Sequence, residues 1–454
     1  MPGVPSGRAC EGCRKQKKKC DEKMPSCSRC LRLKMPCIGS GQRRFKFQEE
    51  RRFFTSPDNE QQVTKSSSPI QSTTRSNSSS PITWSIPSNE LTFLTSIFIQ
   101  AFKPSTDLRY NLIWNYGGFI ADIPQRLGIN EALDGAVYAV TAAHSSFCLY
   151  KDISIEALSR YSRALQMLRL CLDDPIKAAT SETLCAVMLL LICQAFIGTG
   201  GRSFTGHCEG AAQILKARGY STPKDEFEAK LILSLRGPVL FEALWNDKIE
   251  LSPNEWSSLV ENDYDTNLPE GQLMLIFSRV PFLMHRGRNA TEESEFTALR
   301  EEIRPMYDTS RSILSDIQSC YHDINRIPIA ERSRYLHAYH QRIYSLALTI
   351  VTVLNCISSA LDPGSIDLQS DAIYMVNEIL ALCDESSDYR PLGASCNILA
   401  LMVAYVATTD PITKCLVESA FTDYQTDYPQ RTLEGYEASL EIVSRHLRLL
   451  NSEA

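Results

Sequence analysis

Residues 10–37 read CEGCRKQKKKCDEKMPSCSRCLRLKMPC, with cysteines at Cys10, Cys13, Cys20, Cys27, Cys30 and Cys37. The stretch is one unit, Cys-x2-Cys-x6-Cys, repeated seventeen residues further on. With 16 Cys in 454 residues, five further fixed positions fall on Cys by chance at a rate below about 10⁻⁷. Structural zinc takes four thiolates in a tetrahedron. Six thiolates complete two such sites only when two of them bridge both ions. The first Cys of each repeat is the natural bridge, which nominates Cys10 and Cys27 and predicts two Zn2+ per chain.

Two plainer readings compete. Cys10, Cys13, Cys27 and Cys30 alone could form a single-zinc finger that leaves Cys20 and Cys37 free. Disulfides fit less well, because the opening MPGVPSGRAC has no apolar signal segment and intracellular cysteine patterns more often bind metal.

The pattern resembles that of the fungal zinc binuclear cluster (Zn2Cys6) transcription factors, without gap or substitution. The resemblance implies two short helices related by a pseudo-two-fold axis, with Cys10 and Cys27 bridging. It also implies a basic first half set in the major groove of double-stranded DNA at a CGG-like triplet, in a nuclear regulator of RNA polymerase II genes. Arg14, Lys15, Gln16, Lys17, Lys18 and Lys19 fill the first interval, whereas Leu31, Arg32, Leu33, Lys34, Met35 and Pro36 fill the second. The first half is thus the DNA reader, and the second is expected to be half buried. Lys suits the O6 and N7 acceptors of guanine, and Lys17 matches the family's base-reading lysine. Gln16 departs from the Arg or Lys often found there, and Pro25 matches the loop proline joining the halves.

Charge divides the chain the same way. Residues 1–54 hold fifteen Lys and Arg against five Asp and Glu, and the remainder thirty-two against forty-eight, so a head of +10 precedes a chain of −16. Arg43, Arg44, Lys46, Arg51 and Arg52, interleaved with Phe45, Phe47, Phe53 and Phe54, can extend the phosphate contacts. Residues 55–88 contain sixteen Ser or Thr, too little apolar surface to offset the entropy of ordering. Ser56, Ser68 and Ser80 each precede Pro and suit proline-directed phosphorylation.

Beyond residue 89 the texture is helical. Leu158, Tyr161, Leu165, Leu168 and Leu172 form one apolar stripe at helical spacing, as do Leu433, Tyr436, Leu440, Val443, Leu447 and Leu450. Leu184–Cys193 and Ile343–Leu354 are apolar all round, which predicts interior helices, and each run is shorter than the roughly 20 residues of a membrane span. Gly219 reads as a helix stop, and Pro253, Pro281, Pro391 and Pro411 as punctuation. The segments YSRALQMLRLCL, SETLCAVMLLLICQAF and HCEGAAQILKARG resemble the fungal-specific transcription factor domain of the same family.

Nothing in this region reads as catalytic. GTGGRSFTGHC at 198–208 lacks the lysine of a phosphate-binding loop and reads as an inter-helix loop, with His207 a capping or surface residue. His337 and His340 lack a further ligand nearby, and the ten later cysteines read as small buried hydrophobes. The expectation is an all-α protein in three parts. A zinc-organised binuclear cluster domain with a basic extension occupies 1–54, a Ser/Pro-rich disordered linker 55–88, and a large multi-helix bundle 89–454. It is expected to be a DNA-binding transcription regulator, not an enzyme. Its helical part would meet the transcription machinery or co-regulators, or a second copy in a homodimer, with no membrane involved. The alternative is a zinc-containing interaction or effector-sensing protein whose helical domain docks partners.

Overall fold

The computed structural model describes residues 9–37 apart from 22, 24, 25 and 36, and residues 89–447 apart from 104, 150–153, 199, 219–222, 262–266, 329–330, 429–439, 442 and 446. These belong to two compact units, a head within Met1–Ile82 and a body within Thr83–Ala454. Every regular element among the described residues is helical. The linker, its Ser-Pro sites Ser56, Ser68 and Ser80, and Gly219 lie outside the described residues.

The head holds α1 (Glu11–Lys15) and α2 (Ser28–Arg32). The body runs through α3 (Glu90–Ala101), α4 (Leu112–Tyr116), α5 (Phe119–Asp122), α6 (Glu131–Cys148), α7 (Ile155–Leu172), α8 (Pro175–Ala178), α9 (Ser181–Ile197) and α10 (Gly200–Ala217). It continues with α11 (Glu226–Glu242), α12 (Pro253–Val260), α13 (Pro269–Phe277), α14 (Val280–Asn289), α15 (Glu293–Asn325), α16 (Arg334–Leu361), α17 (Ile366–Glu385), α18 (Cys396–Ala407) and α19 (Pro411–Gln425).

Local chemistry sets many of these boundaries. Asn130, Ser154, Thr180, Asp225, Ser333, Ser365 and Asp410 each cap a helix N-terminus through their side chains, and Ser252 forms a reciprocal capping box with Glu255. Pro175, Pro253, Pro269 and Pro411 open their helices, where the missing N–H has no intrahelical partner to lose. Gly198 ends α9 with φ 68, a left-handed conformation that glycine adopts without steric cost.

Leu184 to Cys193 in α9 are buried throughout, and so are Ala347 to Asn355 in α16. Helix α9 packs on α6, α7 and α10, and α16 on α15, α17 and α18. Their side chains merge into one continuous apolar core. Taken as a whole, α16 exceeds the apolar run seen in the sequence. With 28 residues and a window of mean hydropathy 1.7 it is long and apolar enough to cross a membrane, but 72% of that window is buried inside the body, which makes it a core helix.

The stripe read on α7 needs correction. The buried side carries Ala157, Tyr161, Ala164, Leu168 and Cys171, while Leu158, Leu165 and Leu172 are 40%, 37% and 42% exposed. Small residues face α6 because the two helices approach closely. A Cβ on Gly135 of α6 would sit 3.3 Å from the Ala164 backbone and 2.8 Å from Met167 Sδ. Of the C-terminal stripe, Val443 and Leu447 are buried in the core and Leu440 packs against it. Leu433, Tyr436 and Leu450 lie outside the described residues.

The glycine-rich stretch at 198–208 is also corrected. Gly198 turns the chain, and α10 already begins at Gly200, because one left-handed residue suffices to end the preceding helix. His207 is half buried, its Nε2 2.9 Å from Tyr161 Oη, and burial lowers its pKa to about 4. Both ring nitrogens of His337 are engaged inside the body, by Tyr389 Oη at 2.8 Å and Asn325 Oδ1 at 2.7 Å. Among the later cysteines, Cys171, Cys185, Cys193, Cys208 and Cys383 are buried as expected, but Cys320 and Cys415 are exposed.

Candidate zinc cluster and nucleic-acid interface

Among the described residues of the head, the buried centre is made of cysteines. The sequence repeat becomes a structural one. Cys10 precedes α1, and its Sγ accepts from the Cys13 N–H at 3.5 Å; Cys27 caps α2, and its Sγ accepts from the Cys30 N–H at 3.4 Å. Gln16 N–H donates to Gly12 O at 3.3 Å, as Leu33 N–H does to Arg29 O at 3.0 Å. Lys18 N–H donates to Cys13 O at 2.8 Å, as Met35 N–H does to Cys30 O at 3.0 Å. Lys17 and Lys34, equivalent in the two repeats, have φ 50 and 52. This left-handed residue ends each short helix and turns the chain back toward its third cysteine. Such a conformation costs a non-glycine residue about 1–2 kcal/mol, and the cluster accepts it twice.

The six thiols gather into two quartets, Cys10, Cys13, Cys20, Cys27 and Cys10, Cys27, Cys30, Cys37, each with its sulfurs within 4.8 Å of one another. Both quartets contain Cys10 and Cys27. A tetrahedral zinc thiolate with Zn–S near 2.3 Å has sulfurs about 3.8 Å apart. The Sγ separations are 3.7 Å for Cys10 to Cys27, 3.6 Å for Cys10 to Cys30 and 3.7 Å for Cys13 to Cys27. An all-sulfur donor set at this spacing suits zinc and not a hard cation such as Mg2+ or Ca2+. Cys20 and Cys37 belong to the cluster, so the fold departs from the single-zinc reading that left them free.

Electrostatics distinguishes the shared pair. The Cys13 amide holds the Cys10 thiol below the usual thiol range, and the Cys30 amide does the same for Cys27. Burial pushes Cys13 up to about 12. Asp21 fixes the entry to α2 by accepting from Ser28 N–H at 3.0 Å and from Ser28 Oγ at 2.5 Å.

Lys15, Gln16, Lys17, Lys18 and Lys19 are all exposed, forming a run that leads from α1 through its terminal turn. The Arg14 side chain and Pro25 lie outside the described residues. The second half is corrected: Leu31 and Leu33 are 72% and 45% exposed, although Met35 is half buried. Among the described residues of the head the buried centre is sulfur, and no apolar layer covers these leucines. A contact the sequence did not announce is Arg29 Nη2 donating to Gln16 Oε1 at 2.6 Å, which links α2 to the basic run.

Comparison with known proteins bears on the head alone. No curated relative and no solved structure matches the chain. Residues 8–46 match the family model described as the fungal Zn(2)-Cys(6) binuclear cluster domain. Such a domain binds two zinc ions, and the match supports a fungal, DNA-binding transcription regulator.

Proposed function

We propose that the protein is a nuclear, sequence-specific regulator of RNA polymerase II transcription. In this reading Cys10, Cys13, Cys20 and Cys27 would hold one zinc ion and Cys10, Cys27, Cys30 and Cys37 the other, with Cys10 and Cys27 common to both. The metal is structural: it fixes α1 and α2 against each other so that the basic run meets DNA already ordered. Lys17 reads guanine in a CGG-like triplet, while Arg14, Lys15, Lys18 and Lys19 hold phosphates. The helical body is the regulatory part, similar to the fungal-specific transcription factor domain, and docks co-regulators or a second copy of the chain.

The observation that carries the proposal is the exposed run Lys15 to Lys19 standing directly beside a six-thiol cluster. Exposed cations placed there have no apolar packing role and suit contact with a polyanion. Selection from random duplex DNA with the full-length protein tests it, and enrichment of a G-rich triplet is expected. Lys17→Ala should lower discrimination against a mutated triplet by about 1–3 kcal/mol, whereas Lys15→Ala or Lys19→Ala should weaken all sequences alike and flatten the salt dependence by about one unit. No enriched motif, or equal losses on specific and random DNA for Lys17→Ala, would refute the assignment.

A further inference from the structure

We infer that Arg29 is a positioning residue that sets the base preference of Gln16, an inference resting on the DNA-reading function proposed above. The head is a repeat in which backbone contacts recur seventeen residues apart. Arg29 breaks that symmetry, because its counterpart in the first repeat is Gly12. A Cβ on Gly12 would stand 3.5 Å from Met35 Cε and 3.6 Å from Cys30 Sγ, so that side of α1 lies against the second repeat. From the second repeat Arg29 reaches back to the first. Its Nη2 donates to Gln16 Oε1 at 2.6 Å, and its Nη1 lies 4.0 Å from Cys13 Sγ.

The consequence follows from the donors and acceptors of an amide. Arginine only donates, so it must face the carbonyl oxygen of Gln16 and leave the NH2 group pointing elsewhere. A free glutamine reads adenine by accepting from N6 while donating to N7. With a guanidinium already on Oε1, one of that oxygen's two lone pairs is taken, and the cation beside it disfavours the approach of the adenine amino group. Gln16 is left as a donor beside Lys17, itself a donor. A donor at Gln16 suits the O6 or N7 acceptor of a guanine next to the base read by Lys17. Arg29 thus converts a residue whose side chain can read adenine into one that favours guanine, without itself touching a base.

The test is competition binding by the full-length protein to duplexes carrying each base in turn at every position of its selected site. Arg29→Met should raise the affinity for adenine relative to guanine at one position next to that read by Lys17, by about 5- to 150-fold, the range of one bidentate contact. The double variant Gln16→Met/Arg29→Met should lose that gain, which a merely structural role for Arg29 would not produce. Metal analysis must show two zinc ions retained in Arg29→Met. If zinc is lost, Gln16→Glu serves instead: it keeps an acceptor for Arg29, removes the amide donor, and should move the same position from guanine toward cytosine, whose N4 donates. Wild-type protein with no base preference would overturn the DNA-reading function itself. A wild-type preference left unchanged by the zinc-replete variants would overturn the Arg29 clamp alone.

Discussion

The head and the body reach ordered structure by different means. In the head, two five-residue helices surround sulfur atoms, two lysines sit in left-handed conformations, and large apolar side chains such as Leu31 stay in solvent. In the body, long helices share one apolar core, and most elements carry their own caps. A segment as small as the head cannot bury enough apolar surface to fold alone, so metal coordination supplies what a core would. The body needs no metal for that. The two regions should therefore fail under different insults, and the chain has a built-in reporter: all four tryptophans, at positions 84, 114, 245 and 256, lie outside residues 1–54.

The largest effect should come from removing zinc. Structural zinc contributes on the order of 10–16 kcal/mol of binding free energy in small domains, so a strong chelator should unfold the head and abolish DNA binding while tryptophan fluorescence stays native. A parallel collapse of the tryptophan signal would break the separation. Metal analysis sharpens it further. Cys27→Ser should lose both ions and Cys13→Ser mainly one, and equal losses would remove the bridging role from Cys27.

The converse experiment is Leu190→Ala in α9, fully buried in the core. Cavity formation should cost about 2–5 kcal/mol in denaturant unfolding followed by tryptophan fluorescence, with two zinc ions still bound. A change in zinc content would show that the regions are coupled.

Next in size is Gly135→Val, which forces side-chain atoms into the tight α6–α7 approach and should cost about 1–3 kcal/mol. A neutral result would mean that α7 can slide away from α6, and that its large leucines can take over the contact.

The smallest effect is acidification. Burial holds His144, His207 and His337 at about 4, below the ordinary 6.5. A base whose folded pKa is depressed binds protons more readily when unfolded. Its stabilising contribution is thus present above pH 6.5 and is lost as pH falls from 6.5 toward 4. Between pH 7 and 5.5 the body should lose roughly 1 kcal/mol for each of the three. His337→Gln should flatten that slope, and an unchanged slope would mean that His337 takes up its proton as readily in the folded state as in the unfolded one.

The cysteine spacing alone specified the cluster, its two-fold repeat and its shared pair, because every ligand lies within 28 residues and the geometry of thiolate coordination admits few arrangements. The helical character of the body and the starts at Pro253 and Pro411 were also legible, since a proline in the first turn acts locally. Which side of a helix is buried was not. On α7 the sequence advertised leucines, but the close approach of Gly135 turned Ala157, Ala164 and Cys171 inward. The same limit hid the capture of Gln16 by Arg29 and the exposure of Leu31. It also hid the acceptors along α17, where Asp371, Glu378 and Glu385 accept hydrogen bonds from the hydroxyls of Tyr307, Tyr344 and Tyr321, respectively, on neighbouring helices. Seven-residue spacing puts those three carboxylates on one helix face, yet only packing against α15 and α16 supplies the tyrosines. Short-range chemistry is written into neighbouring residues. The choice among faces belongs to contacts between residues far apart in the chain, and those exist only once the helices have met.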